Sequence, residues 1–362
     1  MLVFPVVVVA FFTTMMKDGQ PVDMPVGVVD LDNTSTSRSL IRKLDAFETS
    51  RVVATYPNIN EARKAIQHND IYAFIYIPKG TTEALISSRQ PKISFYYSST
   101  SLTVGALLFR DMKTISMLGS AGVGLSTLTA KGATASQAAT FLQPILIDLH
   151  PLNNPEISYN VYLSTWIIPG CLLIFVFLLT AYSIGTELKF NHAKVLMRLA
   201  GNRISIALIG KMIPQTIINL TIFYAYMFYI FGWLSFPHPG GIGVILLTGL
   251  LTVLASEAFG VFAFGLTPSL RMSMSVSALW SVLSFSLAGS AYPLFAMDAP
   301  IQTIAQLFPL RHYYQIYQIC IFNGYPLSEA WWNIGALIIF IALPLLVLRR
   351  IRVSMQDWVY IP

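Results

Sequence analysis

Long apolar runs recur through the second half of the chain, and charge there is nearly confined to their borders. The clearest runs cover residues 161–184, 212–231, 243–266, 273–294 and 331–348. A helix needs about 20 predominantly apolar residues to cross a hydrocarbon core about 30 Å thick. Of the 23 lysines and arginines, ten lie outside residues 17–156, and eight of those ten fall in two places. Lys189, Lys194, Arg198, Arg203 and Lys211 separate the first two runs, opposed only by Glu187. Arg349, Arg350 and Arg352 follow the last run, with only Asp357 after them. Basic residues beside spans mark the cytoplasmic side. The pattern therefore implies a polytopic membrane protein and orients it.

Composition agrees. The chain is 55% hydrophobic and 11% charged, with a mean hydropathy of +0.62. Soluble domains carry about 25% charged residues. The net charge of +6 sits at span borders, so it reads as a cytoplasmic-side bias; no nucleic-acid partner is expected. Cys171 and Cys320 lie in apolar surroundings and give neither a metal spacing nor a disulfide framework. The apolar start, Met1–Met16, lacks the basic segment and small-residue cleavage site of a signal peptide.

Alternating the runs across the membrane gives one consistent topology. As a helix, residues 1–16 reach roughly 24 Å. They read as the outer part of a first span whose cytoplasmic beginning precedes this numbering. The alternative is a re-entrant or tilted interfacial segment. Residues 17–158 form an extracytoplasmic domain, and 159–362 a transmembrane domain holding the five long runs. Within the latter, 185–211 is cytoplasmic, the uncharged loop 232–241 is outside, and the turn carrying Arg271 is inside. Residues 295–330 form an external re-entrant segment, and the tail returns to the cytoplasm. Both termini are thus expected in the cytoplasm.

The external domain alternates strand-like and helix-like patterns. Strands are expected over 25–30, 51–56, 71–77 and 93–97, and helices over 34–47, 59–68 and 81–88. Asp32, Asn33 or Thr34 is positioned to cap the first helix. A mostly parallel small sheet covered by helices follows from this order. Residues 102–131 read as one long amphipathic helix weakened by Gly119, Gly122 and Gly124. Residues 133–142 read as helix, and 145–150 as a returning strand. Asp30, Asp32 and Asn33 end a strand, where ligands often bind in α/β folds. A metal or phosphate site is one reading of them, and a strand-to-helix turn with a cap is the more economical one. No nucleophile motif, HExxH or Cys/His ligand set occurs, so no catalytic residue, cofactor site or metal site is assigned.

The order of parts, a span, an external α/β domain and five further spans, resembles the membrane subunit of type-2 ATP-binding-cassette exporters. Three stretches carry the resemblance in register. Pro25–Ala46 (PVGVVDLDNTSTSRSLIRKLDA) is similar to the opening strand and helix of that class's external domain. Gly185–Gln215 (GTELKFNHAKVLMRLAGNRISIALIGKMIPQ) resembles the cytoplasmic segment that meets the ATPase. Tyr292–Pro326 (YPLFAMDAPIQTIAQLFPLRHYYQIYQICIFNGYP) looks like the external re-entrant segment before the last span. The class usually places a basic amphipathic helix before the first span, and no residue here corresponds to it.

The resemblance implies a fold of six transmembrane helices with an α/β extracytoplasmic domain, in the bacterial cytoplasmic (inner) membrane. It implies export of an amphipathic substrate, a drug, lipid or similar, driven by a cytoplasmic ATP-binding-cassette ATPase. ATP and magnesium would reside on that partner. The chain itself has no G-x-x-x-x-G-K-S/T phosphate loop; Gly210-Lys211 is followed by Met212. A second permease copy or paralogue is also implied, with a periplasmic adaptor and an outer-membrane duct as further partners. A non-transporting assembly subunit or receptor is the alternative function, and a membrane enzyme a further one.

Five residues are expected to couple to the ATPase: Glu187, Lys194, Leu196, Arg198 and Arg203. Leu188, Val195, Leu196 and Leu199 offer an apolar face beside the basic one; binding to anionic lipid is the plainer reading of such a helix. Glu257 lies within a span, where an ionisable group faces the bundle interior, pairs, or marks a pathway. Gln215, Asn219, Ser256 and Glu257 are therefore candidates for a substrate path or a helix seam. Arg311, His312 and Tyr313, with Tyr314 and Tyr317, read as an interfacial aromatic belt with an anchoring cation. A gate for substrate release is the sharper reading. Sidedness can be measured directly. In a background lacking Cys171 and Cys320, Lys64→Cys is expected to react with an impermeant maleimide from outside. Lys194→Cys and Arg350→Cys should react only after permeabilisation. External labelling at position 194 contradicts this topology.

Overall fold

The computed structural model describes residues 2–17, 19–87, 91–98, 102–142, 154 and 158–357. The chain divides into two units, residues 18–150 and residues 1–17 with 151–362.

The chain opens with helix α1, Val3–Met15. In its own unit it lies against a longer helix, with Phe4 stacked on Phe175 at 4.9 Å between ring centres. At 13 residues it is shorter than a membrane crossing requires.

The middle unit begins with β1 (Met24–Asp30), α2 (Ser35–Asp45), β2 (Ser50–Thr55) and α3 (Ile59–His68). It continues through β3 (Ala73–Ile77), α4 (Thr81–Ile86) and β4 (Ser94–Tyr97) to α5 (Leu102–Ala130) and α6 (Ala135–Leu142). The strand order is β2-β1-β3-β4. β1 runs parallel to β2 and β3, while β4 is antiparallel to β3, with Ala73 opposite Tyr97. The β-branched run of β1 explains its central place: Val26, Val28 and Val29 are fully buried, as are Phe74 and Ile75 of β3. The glycines of α5 do not break it, because the helix continues through all three. The strand expected over 145–150 lies outside the described residues.

Of the three candidate caps, Thr34 occupies the position, in a reciprocal box with Ser37. Asp30 and Asp32 serve the same turn. Asp30 Oδ1 accepts the Asp32 and Asn33 amides, and its Oδ2 accepts the Ser37 hydroxyl. Asp32 reaches across to the start of α4. It accepts the Gly80 amide at 2.9 Å, the Thr82 amide at 3.1 Å and the Thr82 hydroxyl at 2.6 Å, and also the Thr34 hydroxyl. The carboxylates are thus committed to a strand-to-helix turn, which removes the basis for a metal or phosphate site there. The Thr82 hydroxyl, with further donors from Thr34 and the Thr82 and Gly80 amides, holds the Asp32 carboxyl below its ordinary range. Behind the sheet, the Thr49 hydroxyl donates to the buried Asp111 of α5, whose carboxyl burial pushes upward.

The other unit contains α7 (Tyr159–Lys189), α8 (Ala193–Leu199) and α9 (Ile204–Phe228), the last running on through a π-turn to Trp233. Then come α10 (Gly241–Leu266), α11 (Leu270–Leu287), α12 (Ala299–Ala305) and α13 (Pro309–Ile316), which continues through a π-turn to Phe322. α14 (Trp331–Ala342) passes a 3-10 turn at Pro344 into α15 (Leu348–Asp357). Among the described residues, five helical stretches are long and apolar enough to cross a membrane: 159–189, 204–233, 241–266, 270–287 and 327–357. The run expected over 273–294 ends early, because Gly289 takes a left-handed φ of +92° and Pro293 follows.

α7 packs along α10 and α11. Small residues set the approach: a Cβ at Gly260 would stand 2.8 Å from Thr180 and 3.1 Å from the Phe177 carbonyl. At one end of the bundle, Leu188, Met197, Ile204, Phe264, Val347, Ile351 and Met355 form a single apolar cluster. That cluster draws both basic stretches, 189–211 and 349–352, to the same end.

The Asp32 turn generates a prediction. Asp32→Ala strands donors of Gly80 and Thr82, each such loss costing about 1–3 kcal/mol. Hydrogen exchange on the intact chain should show faster exchange at the start of α4 and in the 30–34 turn. Because the folded carboxyl is held low, its stabilisation is present above the ordinary carboxylate range and is lost as pH falls through the folded value. Unchanged exchange in Asp32→Ala would show the turn to be held by other contacts.

Candidate functional site

Two groups of the sequence-selected residues come together, and a third disperses. The first group lies at the basic end of the helix bundle. Glu187, in the last turn of α7, forms an ion pair with Lys211 in α9. Thus α7 and α9 are clasped across the segment that joins them. That segment is not one amphipathic helix. Asn191 and Asn202 take left-handed backbone, at φ 61° and 59°, and set off α8 as a separate element. Its buried face is Ala193 and Met197, with Leu196 partly covered. Val195 and Leu199 of the expected apolar face are exposed, at 54% and 83%, whereas Leu188 is buried in the bundle. Lys194 and Arg198 are exposed on α8, and Arg203 is exposed just before α9. The outward surface is therefore mixed, basic and apolar side by side.

The second group lies inside the bundle. Glu257 of α10 is 4% exposed and faces α9. Its Oε1 accepts the Asn219 amide at 2.8 Å, and its Oε2 lies 2.5 Å from the Thr216 hydroxyl. Thr216 and Asn219 are one helical turn apart and present a joint polar face. The Thr216 oxygen also lies 2.9 Å from the Met212 carbonyl. The Thr216 hydroxyl is thus shared between the Glu257 carboxyl and the carbonyl of its own helix.

Gln215, one residue away, turns to the other side of α9 and donates to Thr180 of α7 at 2.6 Å. α9 is thereby tied to both neighbours. Ser256 does not join this node; its hydroxyl bonds back to the Thr252 carbonyl of its own helix at 2.6 Å. Thr216 and Thr180 were not singled out from sequence. The spacing Thr216–Asn219 on a helix face opposite a lone carboxylate was the available signal. Asn219 also borders a narrow apolar crevice lined by Pro5, Leu172, Phe175, Ile222, Phe223 and Val253.

The third group separates. His312 is fully buried. Its Nε2 donates to the Gln306 carbonyl at 2.9 Å, and its Nδ1 meets the Asn333 amide oxygen position at 2.9 Å. Tyr313 is also fully buried; its hydroxyl donates to the Thr165 carbonyl of α7 at 3.2 Å, and its ring stands edge-on to Phe223. Tyr314 and Tyr317 are 4% exposed each. These tyrosines are core residues, not an interfacial belt: their rings stack inside the bundle, and the Tyr314 hydroxyl accepts from the Gln318 amide, while the buried Tyr317 hydroxyl has no partner among the described residues. Arg311 points elsewhere and is half-buried.

A multi-pass bundle with a helical, basic-ended connection and an inserted α/β unit defines a polytopic transport-type membrane subunit. The profile of the ABC-2 family transporter proteins matches residues 1–349, and the chain belongs to that family. It is thus the membrane component of an ATP-binding-cassette transporter, and the family implies a partner ATPase. A search of curated proteins found no match.

The Glu257 node predicts a graded response. Glu257→Gln keeps the shape of the side chain, an acceptor for Asn219 and a polar group facing Thr216. It is expected to fold at wild-type yield. Glu257→Leu leaves Asn219 unsatisfied, at a cost of about 1–3 kcal/mol, and should lower the yield of monodisperse protein. Equal yields for Leu and wild type would show that the node does not hold α9 to α10.

Proposed function

We propose that the chain is the permease subunit of an exporter that moves an amphipathic molecule out of the cytoplasm or the inner leaflet. A separate cytoplasmic ATPase, carrying ATP and magnesium, drives it. The observation that carries this reading is the basic end of the bundle. There the 189–211 and 349–352 stretches meet, and α8 turns Lys194, Val195, Arg198 and Leu199 outward. A mixed basic and apolar surface on a short helix suits a protein groove, where the apolar residues are buried and the cations are paired. The Glu187–Lys211 pair connects that surface to α7 and α9, the helices that carry Thr180, Gln215, Thr216 and Asn219. A push on α8 is transmitted to the polar node through rigid helices.

In this account α1 is the outer part of a sixth span, and both termini are cytoplasmic. The membrane is the bacterial inner membrane, and two copies of the chain, or the chain and a paralogue, enclose the path. The external α/β unit faces the periplasm, where an adaptor leading to an outer-membrane duct would meet it. The drug-like or lipid-like character of the cargo rests on the apolar crevice beside Asn219 and the absence of charged side chains lining it. Arg311, His312 and Tyr313 belong to the external end; His312 and Tyr313 position helices there, leaving Arg311 as the residue able to meet cargo.

Coupling is testable with the purified permease–ATPase complex in lipid. Glu187→Lys should abolish stimulation of ATP turnover by the permease while the chain remains inserted. The swap Glu187→Lys with Lys211→Glu should restore it. Leu196→Pro removes the amide that bonds to the His192 carbonyl and costs about 3 kcal/mol in a helix interior; it too should uncouple. Normal stimulation in Glu187→Lys and Leu196→Pro would place the coupling element elsewhere.

A further inference from the structure

Arg311 is the sole lysine or arginine in residues 272–348. It is the third residue of α13, and its Nε and Nη1 are buried. Among the described residues neither nitrogen has a hydrogen-bond partner, and no carboxylate lies within ion-pair distance. The two acids of this region, Asp298 and Glu329, are exposed. Two buried guanidinium nitrogens without an acceptor on a half-buried cation are costly, and a compensating anion would satisfy them.

The surroundings say where that anion would sit. Nη1 lies 3.8 Å from the point a Cβ would occupy on Gly289, whose left-handed turn ends α11. The next residue, Ser290, is 8% exposed, and its hydroxyl is likewise buried without a partner. Its carbonyl accepts the Tyr162 hydroxyl, which fixes the turn on α7. Arg311 Nη1 and the Ser290 hydroxyl therefore attend the same turn with no acceptor. A guanidinium edge matches the paired oxygens of a phosphate. Close in sequence, Tyr292 and Phe295 are 54% and 85% exposed and offer apolar surface beside the charge.

We propose that Arg311 and Ser290 bind the phosphate headgroup of an anionic amphiphile at this end of the bundle. The amphiphile has two conceivable sources, a phospholipid of the bilayer or the transported cargo. Only the second rests on the export reading; the binding does not.

The test uses the intact chain purified in maltoside, with its thermal midpoint followed during titration with dihexanoyl phosphatidylglycerol. The wild type should show a saturable rise. Dihexanoylglycerol, which has the same chains and no phosphate, should give none. Loss of a charge-assisted hydrogen bond weakens binding roughly ten- to hundredfold, and that shift in half-saturation is expected for Arg311→Gln. Arg311→Lys keeps the charge without the fork and should fall between. Ser290→Ala should lose less than Arg311→Gln. If Arg311→Gln does not fold, the Lys and Ala variants carry the comparison. A wild type that does not respond, an equal response from the uncharged glyceride, or identical half-saturation in every variant overturns the proposal. In vesicles carrying the chain with its ATPase, ATP-driven movement of labelled phosphatidylglycerol assigns the headgroup to cargo. Saturable binding without such movement assigns it to a bilayer lipid and leaves the site in place.

Discussion

The contact of Glu257 with Thr216 and Asn219 organises the centre of the bundle. In hydrocarbon, apolar side chains gain little by choosing one neighbouring helix over another, because lipid tails are equally apolar. A carboxyl group does discriminate: it must find partners or be lost from the span. Glu257 thereby selects the face of α9 that meets α10. Gln215 then selects the face that meets α7, through Thr180. Backbone approach follows the same logic, since Gly260 on α10 admits Thr180 and the Phe177 carbonyl into contact.

The two ends of the bundle are built differently. At the basic end, apolar packing collects α8, α15 and the starts and ends of three long helices, leaving the cations on the surface. At the opposite end, tyrosine hydroxyls reach carbonyls on other elements: Tyr226 bonds to Ser164 and Tyr313 to Thr165, both on α7, and Tyr162 bonds to Ser290 in the turn after α11. On α7 each hydroxyl occupies a second acceptor position on a carbonyl, so helices are joined without breaking their own ladders. The first end is suited to receiving a soluble partner and the second to holding a fixed frame.

Much of this was legible in the sequence, for identifiable reasons. The helical spans were readable because hydrocarbon demands continuous apolar length, and the α/β order of residues 24–97 because β-branched runs alternate with capped, 3.6-periodic segments. The bounds of α3 match the expectation at both ends, where Asn58 caps the start and Asn69 takes the left-handed exit. Early termination of α11 at Leu287 was hidden, since Ala288–Ser290 is as tolerable in a span as in a turn. The bounds of α8 were hidden, because two asparagines with left-handed backbone set it off, a local geometry that periodicity does not register. The tyrosines of 313–317 read as interfacial on composition alone, because the contact that buries Tyr313 is to Thr165, 148 residues away in sequence. Glu257 was visible as an anomaly, but its partner Thr216 was not, because threonine is common in spans.

The central claim is that α8 is the surface that receives the ATPase. Placing a photo-reactive amino acid at Arg198 and irradiating native membranes tests it directly. A covalent adduct between the chain and an ATP-binding-cassette ATPase is predicted, strongest at Arg198 and absent when the same group replaces the buried Met197. Adducts formed only with lipid, with the ATPase present in the same membranes, would contradict the account.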